Sequence, residues 1–333
     1  MQVQRPQRLA GLALLLGLLL LMTGLSLTVG ARAVPWGEIW AGMTGRIETI
    51  GAAAVAVRMP RTALAILAGA ALGLAGAVMQ GISRNPLADP GILGVNAGAA
   101  LFVVVGIAWF DISGAHSFLW LGIAGAGVTA VFVYLIGSAG QGGATPLKLT
   151  LAGTATSVAV SAFIIAVVLP RNDIAGSVQS WQVGGIGGAS FETLLPALPF
   201  ALVGLALSLA SARVLNALAL GEELATGLGQ SVALGRVMAA AGAVILCGTA
   251  TALCGPIGFV GLVVPHLCRM IAGVDYRLVL PLSALAGASM LGLSDVLGRV
   301  IARPNELDVG IVTAFVGAPF FIWTVRNHRM RGL

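Results

Sequence analysis

Charged residues are scarce in this chain of 333 residues. They make up 9% of it, against 58% hydrophobic residues, and the mean hydropathy is +1.00. About a quarter of the residues in a soluble domain are charged, so the composition excludes an ordinary soluble domain and predicts a membrane protein. The basic residues are arginines apart from Lys148, and they are scattered at the ends of apolar stretches. We therefore expect no nucleic-acid partner.

The sequence also lacks the motifs of energy conversion and catalysis. It contains no G-x-x-x-x-G-K-[ST] phosphate-binding loop, and its one lysine, Lys148, follows Thr-Pro-Leu rather than a glycine-rich turn. Neither an H-E-x-x-H zinc motif nor a pattern of paired carboxylates is present. We predict that the chain is not an enzyme and hydrolyses no ATP itself.

Cysteine and histidine are equally sparse, with three residues of each type. No C-x-x-C spacing occurs, which favours buried inert thiols over zinc or redox chemistry. The histidines are far apart in the sequence, so we expect no metal site and no cofactor. The residues are Cys247, Cys254, Cys268, His116, His266 and His328.

Long apolar segments dominate what is present. A membrane-spanning helix needs roughly 20 apolar residues, and ten such segments predict an all-α, polytopic membrane protein with one transmembrane domain over 1–333. The first segment exceeds the usual core of a signal peptide, about 7–15 residues, so we expect a retained helix. The segments lie near 9–30, 61–81, 91–109, 117–137, 148–169, 191–211, 234–254, 258–273, 279–297 and 307–325.

The distribution of arginine and lysine predicts the orientation. With ten spans and an inward amino terminus, 11 basic residues fall inside and 7 outside, as the positive-inside rule favours. Both termini would then be cytoplasmic. The segments 31–60 and 170–190 would lie outside and 212–233 inside.

Glycine is abundant, with 47 residues, and many lie within the apolar segments. The pairs Gly69/Gly73 and Gly94/Gly98 follow the small-x-x-x-small pattern, which lets helix backbones approach closely. We expect tight helix packing at these pairs.

Proline and asparagine set the predicted limits of the second span. Pro60 is expected to open it, because proline is tolerated in a first helical turn. The pairs Asn85-Pro86 and Asp89-Pro90 are expected to close it in a turn.

Three segments together resemble a known family over essentially the whole chain. They are Arg58-Met-Pro-Arg61 through Gly98, Gly255-Pro-Ile-Gly-Phe-Val-Gly through His266, and Glu306-Leu-Asp-Val-Gly through Trp323. They resemble the FecCD-type permeases, the membrane subunits of bacterial ABC importers for iron-siderophores, haem and cobalamin. The resemblance implies the permease fold of type II ABC importers in the cytoplasmic membrane. It also implies a second permease subunit, identical or homologous, two ATPase subunits and an extracytoplasmic substrate-binding protein.

The function implied is ATP-driven uptake, and we predict an iron(III)-siderophore as the cargo. Haem or cobalamin is the alternative within the same fold. A secondary transporter would need ionisable residues deep in several spans, whereas the charges here cluster near span ends.

Arginines near the outer span ends are candidates for protein docking. Arg58 and Arg61 are three residues apart and share one helix face, and Arg299 follows the ninth span. The resemblance implies that these positions receive acidic residues of the binding protein, as suits the guanidinium group. The alternatives are an ion pair of Arg299 with Asp295, four residues earlier, and solvated interfacial anchors for the other two.

A short amphipathic helix is predicted in the inner segment 219–231. Glu222 and Glu223 would lie at its amino terminus, where the helix dipole favours negative charge. The resemblance implies that this segment couples to the ATPase, and the alternative is an ordinary interfacial helix. The coupling residues implied are Gly221, Glu222, Glu223, Ala225, Leu228 and Gly229.

Hydroxyl residues form a stripe along the fifth span. Thr150, Thr154, Ser157 and Ser161 recur at i, i+4, i+7 and i+11, so they share one helix face. Such hydroxyls bond back to their own helix, pack against a partner helix or line a wet cavity.

The resemblance adds a role for this face. It implies that the fifth and tenth spans line the translocation pathway at a two-fold dimer interface, with Thr313 and Gly317 of the tenth span included. Pro319 is expected to kink or loosen that span.

Overall fold

The structure is a computed structural model that describes residues 5–30, 34–112, 114–139, 145–227, 229 and 231–329. These residues form helices and no β-strand, which confirms the predicted all-α fold. Two short 3-10 helices lie at Pro90–Leu93 and Leu195–Ala197. The α-helices are α1 Arg5–Thr28, α2 Trp36–Met43, α3 Ile50–Ser83, α4 Val95–Phe110, α5 Ala115–Ser138, α6 Pro146–Val168, α7 Asn172–Val183, α8 Phe191–Leu194, α9 Leu198–Ala210, α10 Ala212–Ala219, α11 Glu222–Gly227, α12 Val232–Cys254, α13 Val260–Ala272, α14 Tyr276–Ile301 and α15 Val309–Arg329.

The long apolar helices match the predicted segments. By length and composition, 7 helical stretches in the described chain could cross a membrane: α1, α3, α5, α6, α8 with α9, α12 and α14. Three shorter apolar stretches, α4, α13 and Val309–Thr324 of α15, coincide with the remaining segments. The count of ten crossings stays a prediction.

The helix α3 begins earlier than the sequence indicates. It runs for 34 residues from Ile50, and the Thr49 hydroxyl caps it by accepting a hydrogen bond from the Ala52 N–H at 3.2 Å. Pro60 lies inside α3 instead of opening it, so the prediction that Pro60 begins this helix is wrong. The limits of the membrane span and of the outer segment 31–60 stay predictions. The residues before Pro60 stay helical because α2 packs against them, with Gly42 close to Val55.

Helix α3 is the centre of the bundle. Within its apolar window 78% of the residues are buried, against 17% for α6 at the periphery. Gly69 and Gly73 let α3 approach α14 so closely that a Cβ atom at either would collide with the backbone of Gly287 or Ser283. This confirms the close packing predicted for that glycine pair.

The predicted turn after α3 is confirmed. Asn85 Oδ1 accepts a hydrogen bond from the Leu87 N–H at 2.9 Å, and Asp89 Oδ1 accepts one from the Gly91 N–H at 2.8 Å. Both are the local side-chain bonds that Asn and Asp favour in turns. The chain then re-enters the bundle through the 3-10 helix Pro90–Leu93 and α4.

Three irregular segments meet where α7, α12 and α15 end or begin. The Gly185 N–H donates to the Cys254 carbonyl at 2.8 Å, and the Gly310 N–H donates to the Gly184 carbonyl at 2.9 Å. A Cβ atom at Gly255 would collide with the carbonyl of Trp181. Glycine therefore lets non-helical backbone satisfy its hydrogen bonds inside the protein.

Candidate functional site

An ion-pair cluster joins α3 to α14 and to the connection that follows α14. Arg61 donates from Nε to Asp295 Oδ1 at 2.8 Å, and its Nη2 lies 2.6 Å from the same oxygen. The Nη1 of Arg61 donates to Glu306 Oε2 at 2.6 Å. Asp295 Oδ2 in turn lies 2.8 Å from Arg299 Nη2. We call these four residues the arginine–carboxylate cluster.

The cluster has a buried side and a solvent-facing side. The side chains of Arg299 and Asp295 are 1% and 2% exposed, whereas those of Arg61 and Glu306 are 12% and 42% exposed. A buried charge is tolerated only when it is paired and hydrogen-bonded. Asp295, between two guanidinium groups, is therefore the fixed centre of the cluster, and Glu306 is its exposed edge.

Arginines also hold the carboxyl end of α1. Five successive backbone carbonyls there, residues 26–30, accept hydrogen bonds from guanidinium groups, which favourably place positive charge at the negative end of the helix dipole. The Ser26 hydroxyl contributes a further contact with Arg299 Nη2 at 2.8 Å. The carbonyl bonds run from Arg299 to Ser26 (3.0 Å) and Val29 (3.1 Å), from Arg58 to Leu27 (3.0 Å) and Thr28 (3.3 Å), and from Arg303 to Gly30.

The three arginines predicted to dock a partner all take part in these contacts. The alternative of an Arg299–Asp295 ion pair is confirmed, and Arg299 offers no surface to a partner in this conformation. The alternative of solvated anchors is wrong, since Arg58 is 9% exposed and Arg61 is ion-paired. Glu306 was not foreseen as a member of the cluster, because it lies 245 positions from Arg61 in the sequence.

The predicted coupling segment contains the short helix α11. Its first turn begins with Glu222 and Glu223, as expected. Ala225 is fully buried and anchors the helix, whereas Leu224 is 61% exposed. Leu228 lies outside the described residues.

Glycines with positive φ flank α11, and an ion pair ties it to α12. The φ angles of Gly221 and Gly229 are 111° and 75°, values that glycine adopts without strain. Arg236 Nη2 lies 2.6 Å from Glu222 Oε1. The hydrogen bond from Arg236 lowers the pKa of the Glu222 carboxyl.

The hydroxyl stripe of α6 lies on the open side of the bundle. Thr154 and Ser161 are exposed, and Thr150 and Ser157 are half-buried. Thr154 Oγ1 donates to the Thr150 carbonyl at 2.8 Å, so back-bonding satisfies part of the stripe. The structure therefore places the four hydroxyls where a second subunit, water or lipid would reach them.

A cleft of about 280 Å³ opens beside the stripe. Ser157 and Ser161 line it, together with Gln182 of α7 and Asn96 of α4. Asn96 Oδ1 accepts a hydrogen bond from the Thr251 hydroxyl at 2.9 Å. Asn96 and Gln182 were not foreseen, because a single amide on an apolar helix gives no periodic signal.

The two predicted pathway residues of α15 lie elsewhere. Thr313 is fully buried and its Oγ1 donates to the Gly310 carbonyl at 3.0 Å. Gly317 packs against the Phe259 side chain, which leaves no room for a Cβ atom. In this conformation both residues pack within their own subunit and do not join the stripe of α6.

Comparison with known proteins identifies the class. The model of the FecCD transport family matches residues 18–327. The ferric enterobactin transport system permease protein of Escherichia coli (strain K12) is 41% identical over 319 residues, which cover 96% of this chain and 95% of that protein. The hemin transport system permease protein of Yersinia pestis is 34% identical over 330 residues, which cover 98% and 97%.

A solved structure agrees with this class. It is described as a metal-chelate type ABC transporter in an inward-facing conformation. It superposes with a TM-score of 0.82 at 29% identity and covers 96% of this chain and 99% of that one. The fold is thus that of a permease subunit of an ABC transporter. The chain belongs to the FecCD transport family.

Proposed function

We propose that this chain forms the translocation pathway of an ATP-driven importer of iron(III)-siderophores. The observation that carries the proposal is agreement along nearly the whole chain with relatives that are named as permeases for ferric enterobactin, Fe(3+)-citrate and iron(3+)-hydroxamate. The uptake itself breaks no bond in the cargo. A haemin permease among the relatives makes haem the alternative cargo within the same mechanism.

The energy comes from separate subunits in this proposal. Of the two ATPase subunits, one docks on the cytoplasmic side of each permease subunit, here at α11, where the exposed Leu224 offers an apolar contact next to Glu223. The ion pair between Glu222 and Arg236 supports this role, because it links movement of α11 directly to the spanning helix α12. Both termini are cytoplasmic in this arrangement.

A second permease subunit completes the pathway. The low burial of α6 supports a second subunit on this face. A stripe of hydroxyls in an apolar helix is poorly suited to contact with lipid alone. An extracytoplasmic binding protein delivers the cargo near Arg58, Arg61 and Arg299, with Arg61 as the solvent-facing contact and the other two as its support.

Uptake in cells tests the cargo. Iron-55 presented with catecholate, hydroxamate and citrate chelators, alongside labelled haem and cobalamin, is measured with and without the gene. Loss of uptake of one siderophore, restored by the gene, is the expected result. Loss confined to haem or cobalamin would overturn the cargo, and unchanged uptake of all substrates in a strain without related importers would overturn the proposal.

A matched pair of variants tests the pathway. Ser157→Ala removes a hydroxyl from the cleft without adding bulk, and we expect slower uptake at an unchanged level of protein in the membrane. Thr156→Val is the control, since the Thr156 hydroxyl bonds back to the Ala152 carbonyl at 2.7 Å and lies off the stripe. Equal uptake by the two variants would contradict the assignment of this cleft.

A further inference from the structure

The contact between Arg61 and Glu306 is more exposed to solvent than the other ion pairs of the arginine–carboxylate cluster. Arg61 bridges two carboxylates, one 2% exposed at Asp295 and one 42% exposed at Glu306. Both carboxylate oxygens of Asp295 are ion-paired, Oδ1 with Arg61 and Oδ2 with Arg299. Of the two carboxylates paired with Arg61, Asp295 is buried and Glu306 is exposed. Only Glu306 could therefore leave Arg61 and be solvated by water.

The chain around Glu306 allows such a departure. Glu306 lies in the non-helical connection between α14 and α15, and its ion pair with Arg61 uses a single oxygen, Oε2. Its side chain covers the Nη1 edge of the guanidinium group. When Glu306 moves aside, Asp295 still orients Arg61 through Nε and Nη2, and Nη1 loses its carboxylate partner.

We propose that Glu306 is an internal stand-in for a carboxylate of the docking partner, and that docking proceeds by exchange of one carboxylate for the other on Arg61. This inference rests on the proposed docking of an extracytoplasmic binding protein at this face. The chemistry that would recognise Arg61 is a glutamate or aspartate side chain on that protein's surface. Glu306 keeps the guanidinium group neutralised while no partner is bound.

The exchange has a measurable consequence for affinity. A partner that must displace Glu306 binds with an affinity reduced by the fraction of molecules in which Arg61 is uncovered. A partly exposed ion pair is worth up to about 1 kcal/mol, so removing Glu306 should tighten docking about 2–5-fold at low salt. High salt should shrink the difference, because it screens exposed charges.

The first test needs no partner. The full-length permease in detergent is treated with phenylglyoxal, which modifies accessible arginine, and modification of Arg61 is followed by peptide mass spectrometry. Glu306→Gln and Glu306→Ala should each speed the modification of Arg61. Asp308→Asn is the matched control, since it removes the same charge from an exposed residue of the same connection. An unchanged rate in both Glu306 variants would overturn the inference.

The second test measures docking of the importer's purified binding protein to the permease–ATPase complex. Glu306→Gln should bind more tightly than wild type, by more than Asp308→Asn does, and Arg61→Gln should bind more weakly. If Arg61→Gln binds like wild type, the docking proposal itself fails. If Arg61→Gln weakens binding but Glu306→Gln does not tighten it, docking at Arg61 stands and only the exchange is refuted.

Discussion

Removing the charge of Asp295 tests the buried half of the arginine–carboxylate cluster. Asp295→Asn keeps the shape of the side chain but leaves Arg61 and Arg299 facing each other without the carboxylate between them. Arg299 is 1% exposed and cannot turn to water. Arg61 keeps Glu306 as a partner, so the unpaired charge falls mainly on Arg299.

The expected loss of stability follows from this burial. Removing one partner of a buried ion pair costs about 3–5 kcal/mol, because the other charge stays buried and uncompensated. The carbonyls of Ser26 and Val29 still accept from Arg299, which favours the lower end of that range. At roughly 2 °C per kcal/mol, the scale for larger soluble domains, the lower end corresponds to a fall in melting temperature of about 6 °C.

The assay is thermal unfolding of the purified chain in detergent, read as the loss of the monodisperse peak. Asp173→Asn is the matched control, because Asp173 pairs with Arg171 at 3.0 Å on an exposed helix end and such a pair contributes little. We expect no measurable change in the control. A wild-type melting temperature for Asp295→Asn, or an equal fall in the control, would refute the buried-charge argument.

Two further predictions concern packing and coupling. Gly76→Ala should destabilise the chain by about 1–3 kcal/mol, because its Cβ atom would overlap the backbone of Gly261. Gly24→Ala is the control: nothing lies within 4 Å of its Cβ position, and alanine suits a helix interior better than glycine, so it should not lower the melting temperature in the same assay. Glu222→Gln should raise amide exchange in α11, because the ion pair with Arg236 is lost. Since Arg236 lowers the pKa of Glu222, the pair persists above the ordinary carboxyl pKa and is lost only as pH falls through the lowered value. The difference in exchange between wild type and variant should thus survive down to about pH 5; its disappearance at pH 6 would contradict the pairing.

The sequence predicts the structure correctly where residues close together in the chain determine it. Asn85 and Asp89 fold their own turns, and Gly69 and Gly73 mark a close helix contact by spacing alone. The boundary at Pro60 was predicted wrongly, because the helix on its amino-terminal side is stabilised by packing against α2. That packing depends on tertiary structure and leaves no signal in the proline itself.

The ion-pair cluster shows the same limit for the candidate site. Asp295 and Arg299 lie four residues apart on one helix, so their pairing could be foreseen. The contact of Arg61 with Glu306 and the capping of α1 by Arg299 join positions 245 and 273 residues apart. These residues are brought together only by the packing of α1, α3 and α14. The spacing of residues in the sequence cannot predict such contacts.

Transport by the reconstituted complex tests the central claim most directly. Proteoliposomes are made with this permease, its ATPase subunits and the binding protein, and accumulation of the iron-55 siderophore is followed with ATP on the ATPase side. The account predicts accumulation that requires ATP and the phosphate-loop lysine of the ATPase. Equal accumulation without ATP, or with that lysine replaced, would contradict it and would indicate a secondary transporter.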